Sequence, residues 1–140
     1  MKSVTQSTTK KNIVRVWHMV DVKDKVLGRV SSDIASKLMG KSKPYFVRNL
    51  DCGDYVVVVN AKLVAVTGKK EKQKLYGHYS GYPAGLKEKQ LWQVRQERPE
   101  EIIRHAVMGM LPKNKIRDRL ITRLYVFPDE KHTYQDKFVK

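Results

Sequence analysis

Cysteine occurs once in the 140 residues, at Cys52. An internal disulfide and a thiolate metal cluster are therefore excluded, and a reducing compartment fits. Long apolar runs are missing too. Nothing approaches the roughly 18 residues of a membrane-spanning helix, and no basic helix keeps a broad apolar face for lipid. The chain has no GxGxxG, no GxxxxGK followed by Ser or Thr, and no GxSxG, so the common phosphate loops and the nucleophile elbow are absent. Its histidines, His18, His78, His105 and His132, are too scattered to argue for a catalytic base. Acidic residues are the scarcest of the charged types: 14 Asp and Glu stand against 29 Lys and Arg, a net charge of +15 with pI near 10.0.

That imbalance exceeds what solubility needs and predicts a polyanionic partner. An anionic membrane and a nucleic acid both carry the charge, and the lack of a lipid-facing helix favours nucleic acid. The length fits one domain with one modest core. We expect a basic N-terminal tail over residues 1–14, a single α/β domain over 15–128 and a polar tail over 129–140. The N-terminal segment has no acid and no apolar signal-peptide core, although an organellar presequence remnant shares its composition.

The core is marked by DYVVVVNA, Asp54 to Ala61. Four consecutive valines without polar alternation predict a strand covered on both faces, as in a central parallel strand, and Asp51-Cys52-Gly53 and Asn60 mark chain reversals on either side. Val16 to Val22 is a plausible first strand. Leu27, Val30, Ser31, Ile34, Ala35 and Leu38 recur at helical spacing and predict an amphipathic helix laid on the sheet, with Gly40 as its left-handed cap. A further strand is expected over Leu63–Thr67, a helix over Leu86–Gln96, and another helix from Pro99, whose ring suits the first turn while Glu100 and Glu101 complement its dipole. Gly109 should end that helix, Asn114 should cap the next, and Leu124 to Phe127 offers a last strand. His105 falls off the apolar stripe, and no second ligand lies at metal-site spacing, so it is expected at the surface.

Three acid-poor stretches are candidates for nucleic-acid contact. The loop GKSKPYFVRN carries Lys41, Lys43 and Arg48 without acidic neighbours. Between Lys62 and Arg95 lie eight Lys or Arg and two acids, and within that span LYGHYSGYPAGLK sets three tyrosines and His78 among glycines. Lys69, Lys70, His78, Tyr79, Tyr82 and Lys87 are the expected contacts there, because aromatic rings stack on unpaired bases and glycines allow close backbone approach. An ordinary hairpin tip whose tyrosines cover the core is the alternative. In GMLPKNKIRDRL, Lys113, Asn114, Lys115, Arg117 and Arg119 rim a helix-turn-helix connection whose amides could seat a phosphate; a plain αα corner with solvated lysines is the alternative. A DNA-reading helix-turn-helix is disfavoured, since nothing suggests a two-fold partner.

Taken in succession, WHMVD, VLGRVSSDIASKLMGKSKP, DCGDYVVVVNA, VTGKK, HYSGYPAGLK, HAVMGMLPKNK and RLYVF resemble the motifs of the large-subunit ribosomal protein thirteen family, from Val16 to Phe127. GMLPKN following GYPAG is the most specific of them. The resemblance implies a three-layer α/β/α domain with a small, mainly parallel four-stranded sheet. It also implies a structural constituent of the large ribosomal subunit that binds and braces ribosomal RNA early in assembly, beside neighbouring ribosomal proteins. No cofactor, metal, membrane or homo-oligomer is implied, and the ribosome would be cytoplasmic, with an organellar one as the alternative. Two residues depart from the family pattern: Ala84 stands where glycine is common, suggesting that the tip does not require glycine there, and Ser31 stands where alanine is common.

Two rival classes remain. An RNA-acting metal-dependent nuclease would have to use Asp21, Asp51 and Asp54, yet Asp21 closes one strand while Asp54 opens a parallel one, placing them about 15 to 20 Å apart. A DNA-compacting architectural protein fits the charge but not so large an α/β core.

Overall fold

A computed structural model describes residues 7–138. The valine run forms β2 (Tyr55–Val59), which pairs in parallel with β1 (Trp17–Asp21) on one side and β5 (Leu124–Val126) on the other. Val56, Val57 and Val58 have no solvent exposure, as expected of a strand covered on both faces. Successive side chains alternate between those faces. Val56 and Val58 enter the main core with Val20, Leu124 and Val126. The other face carries an aromatic layer, in which Trp17 stacks on Tyr55 (4.4 Å between centroids, 11° between planes) and Tyr125 lies 4.4 Å from Tyr134.

The predicted amphipathic helix is α1 (Leu27–Met39), and its buried residues are the six expected ones. Ser31 is accommodated because its hydroxyl donates to the Leu27 carbonyl at 2.7 Å, satisfying a buried polar group within the helix. Gly40 caps the helix at φ 75°, its N–H donating to Ser36 and Lys37. The chain then passes α2 (Lys70–Gln73), β3 (Leu75–Tyr79), β4 (Leu86–Gln90), α3 (Leu91–Glu97), α4 (Pro99–Met110) and α5 (Arg117–Ile121). Helices α1 and α4 cover the Val56/Val58 face, contributing Ile34, Leu38, Ile102, Ile103 and Val107 to the core.

The α/β class with a parallel sheet is as expected, but the sheet has three strands rather than four, and β3 and β4 form a separate antiparallel pair. Leu63–Thr67 is not a strand. Asn60 adopts a left-handed conformation (φ 63°) that turns the chain into a short 3-10 segment, Ala61–Leu63, and only Ala65 makes a bridge, to Val26. Val64 is buried, so its apolar character serves core closure rather than a ladder. Leu86–Gln96 is not one helix either: its first half is β4, held by pairing with β3, and the helix begins at Leu91. Helix α4 starts at Pro99 as predicted and runs one residue past Gly109.

The terminal segments are partly incorporated. Thr8 donates to the Tyr45 carbonyl at 2.9 Å, and Tyr45 donates to the Val14 carbonyl at 3.2 Å. Tyr134 and Phe138 lie against Trp17 at 5.3 and 6.5 Å between centroids. The beginning of the expected N-terminal tail, residues 1–6, and the last two residues of the C-terminal one lie outside the described residues.

Candidate nucleic-acid interface

The loop between α1 and β2, residues 40–54, is fastened from beneath. A Cβ on Gly53 would lie 1.6 Å from the Leu38 carbonyl oxygen, and one on Gly40 2.4 Å from that of Cys52, so both positions admit only glycine. Asp51 forms a two-pronged ion pair with the guanidinium of Arg123, the only buried Arg or Lys among the described residues. Arg15 donates to the Gly53 carbonyl at 2.6 Å and reaches Asp51 as well. Asp54 is buried and accepts from the Val16 N–H at 3.0 Å, from Lys43, and faces the His18 imidazole at 3.0 Å. Burial would raise both carboxyl pKa values. Arg123 and Arg15 at Asp51, and Lys43, Val16 and His18 at Asp54, outweigh it and hold both below the ordinary carboxylate value.

Lys43 must accordingly be withdrawn from the expected contacts. Its ammonium is engaged by Asp54 and by the carbonyls of Val14 (2.6 Å) and Cys52 (2.9 Å), with its side chain only 11% exposed. Lys41 and Arg48 sit on the same loop, exposed and outside every ion pair among the described residues.

The aromatic segment is a hairpin, with Tyr79 opposite Leu86, His78 opposite Lys87 and Tyr76 opposite Lys89. Alternation divides it into two faces. Leu75, Tyr79 and Leu86 share one and are half to two-thirds exposed, and Tyr82 at the tip is 75% exposed. The alternative in which the tyrosines merely cover the core thus fails for Tyr79 and Tyr82 and holds for Tyr76, which packs on the core and meets His105 edge-on at 5.2 Å. His78 and Lys87 face a groove of about 620 Å³ whose far wall, α3 and α4, includes Glu97 and Glu101. The expected hairpin contacts are therefore on different faces. The tip is fixed by Ser80 N–H donating to Gly85 O and Gly85 N–H to Tyr82 O. Ala84 stands at φ 59°, which corrects the expectation from sequence: this backbone favours glycine, and alanine occupies it under strain.

Arg95 clamps the base of the hairpin, pairing with Glu71 and donating to the carbonyls of Lys62 (2.8 Å) and Val64 (2.9 Å). Lys69 and Lys70, at the start of α2, are exposed and unpaired among the described residues. In the third stretch, the Asn114 side-chain oxygen accepts from the Ile116 and Arg117 N–H groups at 3.2 and 3.1 Å. The expected cap of α5 is therefore not Asn114: the N-cap is Ile116, without a side-chain bond, and Asn114 closes the turn ahead of the helix, so those two amides are not free to seat a phosphate. Lys113, Lys115 and Arg119 are exposed and Arg117 half-buried. Lys41 and Arg48 line one cavity with Pro112 and Asn114, so the first and third stretches adjoin, a juxtaposition that no local sequence signal marked.

The three aspartates of the rival nuclease are engaged by separate partners. Asp51 and Asp54 are held by cations, Asp21 is at the far end of β1 accepting from Asn60 at 2.9 Å, and no group of three His, Cys, Asp or Glu among the described residues is placed to hold a metal. No helix of the described residues is long and apolar enough to cross a membrane.

Fold and surface together define a small basic α/β domain with a packed core and acid-poor projections. The model of the family described as ribosomal protein L13 matches residues 15–133, and the chain belongs to that family. It is 48% identical over 130 residues to the large ribosomal subunit protein uL13 of Solibacter usitatus, covering 93% of this chain and 91% of that one. To the protein of the same name from Clostridioides difficile it is 49% identical over 123 residues, 88% and 86% of the two chains. The corresponding protein of Caldanaerobacter subterraneus is 48% identical over 124 residues, 89% and 87%.

Proposed function

We propose that this protein is a structural constituent of the large ribosomal subunit that binds and braces large-subunit ribosomal RNA, without catalysing a reaction, beside neighbouring ribosomal proteins. Membership of the family and the names of its bacterial relatives support the assembly, and a cytoplasmic ribosome fits them. One observation carries the RNA reading: every expected cationic contact except Lys43 stands outside the ion pairs of the described residues. Such cations displace counterions from phosphates, while the packed domain holds the projections in fixed relation so that separate RNA segments are clamped together. Binding before the subunit is complete is part of the same reading, since a brace is most useful while its RNA segments are still being brought together.

Two measurements test it. The tagged protein should co-sediment with the large subunit through a high-salt gradient, and recovery only with messenger RNA or chromatin would overturn the reading. With isolated ribosomal RNA, neutralising about five to eight phosphates predicts a slope of log K against log salt of roughly −3.5 to −7. A slope near zero would remove the brace.

A further inference from the structure

The cavity shared by the first and third stretches has a chemistry that phosphate binding alone does not use. It is about 380 Å³, at the lower end of the ~300–1,000 Å³ typical of sites for small organic groups. Met39, Phe46, Leu50, Ile116 and Leu120 give it an apolar lining, and no acid lines it. Lys41 and Arg48 reach it from the 40–54 loop. Asn114 reaches it from the connection between α4 and α5, and it also lines an adjoining open concavity with Lys113, Lys115, Arg117 and the one acid there, Asp118. Because the Asn114 oxygen is occupied by backbone amides, its side-chain nitrogen, which makes no hydrogen bond among the described residues, is left as a donor at the seam.

We infer that this cavity takes a single unpaired RNA base, one flanking phosphate lying on Lys41 and Arg48 and the other on Lys113 and Lys115. The inference rests on the RNA-binding reading and adds to it a site for one extruded nucleotide. A base has two apolar faces and a polar edge, and it is tethered on both sides to anions. An apolar cavity with an amide donor in its lining and cations supplied by two separate segments matches that distribution of chemistry. A neighbouring protein's apolar side chain would use the apolar lining but leave the cations unmatched unless its flanks were acidic. The lining is also rigid where it counts: Leu120 is buried in the main core, and the loop bearing Phe46 and Leu50 is fastened by the Asp51 and Asp54 ion pairs.

The test uses the full chain with methyl-labelled methionine and two RNA hairpins of equal nucleotide number, one fully paired and one carrying a single-nucleotide bulge. The bulged RNA should bind at least about fivefold more tightly, as one stacked base implies. It should also move the Met39 and Met110 methyl resonances upfield by ring current, because both line the cavity, and leave Met19, on the far face of the sheet, in place. Met110→Trp should abolish the preference by filling the cavity, whereas Met19→Ala should keep it. Equal affinity for both RNAs with Met39 and Met110 unmoved would overturn the base site and leave the RNA-binding reading standing. Failure to bind either RNA would remove both. If an acidic peptide with one apolar anchor, and neither RNA, moves the two methyls, the cavity is a protein-docking site and the inference is wrong.

Discussion

The loop of residues 40–54 and the hairpin of residues 75–90 look alike in sequence, both basic, both aromatic and both marked by glycine, yet they are built on opposite plans. The loop is stitched into the core by buried ion pairs and by two glycines that no other residue can replace. The hairpin stands away from the core, clamped at its base by Arg95 and Glu71 and pinned by Tyr76, with its outer side chains in solvent. A lysine in the first can be structural while a lysine in the second is free, and composition does not tell them apart. In a brace, the loop supplies a fixed reference and the hairpin a reach.

The sharpest way to break the comparison is to make the same substitution in each. Lys43→Ala leaves the Asp54 carboxylate buried without its ammonium and should cost about 3–5 kcal/mol, a large share of a domain's stability. Lys87→Ala should leave the thermal midpoint nearly unchanged, because that ammonium has no acid partner among the described residues. If the two variants melt alike, the division between fastening and free cations is wrong.

Acid should find the same seam. The Asp51 and Asp54 pKa values are depressed in the folded state, so their stabilisation is complete above the ordinary carboxylate value of about 3.9. It is lost as pH falls through the lower folded-state values. Protonation then leaves Arg123 and Lys43 charged against neutral partners. Hydrogen exchange measured over descending pH should show the amides of residues 40–54 losing protection before those of the β3–β4 ladder; the reverse order would show that the loop is not fastened by these pairs.

Much of the frame was legible in the chain. Four valines in a row without polar alternation read as a strand buried on both faces, and the structure keeps that reading together with the α1 stripe and its glycine cap. What failed was what distant partners decide. Leu63 to Thr67 has strand-forming residues, but Asn60 turns the chain and Arg95 takes the carbonyls of Lys62 and Val64, leaving one bridge. Leu86 to Gln90 is strand only because β3 lies beside it. At the candidate interface the residue types were legible and their employment was not. Nothing around Lys43 reveals that Asp54, eleven positions on, is buried beneath it, and nothing joins Lys41 to Asn114 except the fold.

The hairpin's contribution to binding should differ in kind between its tip and its edge. Tyr82→Ala removes a ring that is 75% exposed. It should weaken RNA binding by about 1 to 3 kcal/mol if a base stacks on it, leaving the salt slope almost unchanged because no charge is lost. Lys87→Ala at the hairpin's edge, like Lys115→Ala in the connection between α4 and α5, should reduce the slope by about 0.7 to 0.9, the share of one released counterion, with little effect on preference among RNA sequences. Circular dichroism on each variant checks that the fold is intact. A folded Tyr82→Ala protein that binds RNA normally would make the hairpin tip structural.

The smallest effect is the one that sets the tip itself. Ala84 is held at φ 59°, where a left-handed backbone brings Cβ close to the following carbonyl oxygen and costs an L-residue about 1–2 kcal/mol. Glycine at that position would relieve the contact but would add about 0.4–1 kcal/mol of unfolded-chain entropy to be lost on folding. The difference leaves Ala84→Gly between neutral and about 1.6 kcal/mol stabilising. Because the strain sits in a projection clamped only at its base, the gain should appear first as slower hydrogen exchange at the Ser80 and Gly85 amides, whose bonds close the tip, and only weakly in the global melt. In the fastened loop, by contrast, Gly53→Ala should prevent folding, since its Cβ would occupy the space of the Leu38 carbonyl. If Ala84→Gly instead speeds exchange at the tip, the entropy of glycine outweighs the strain, and alanine is the better residue for this turn.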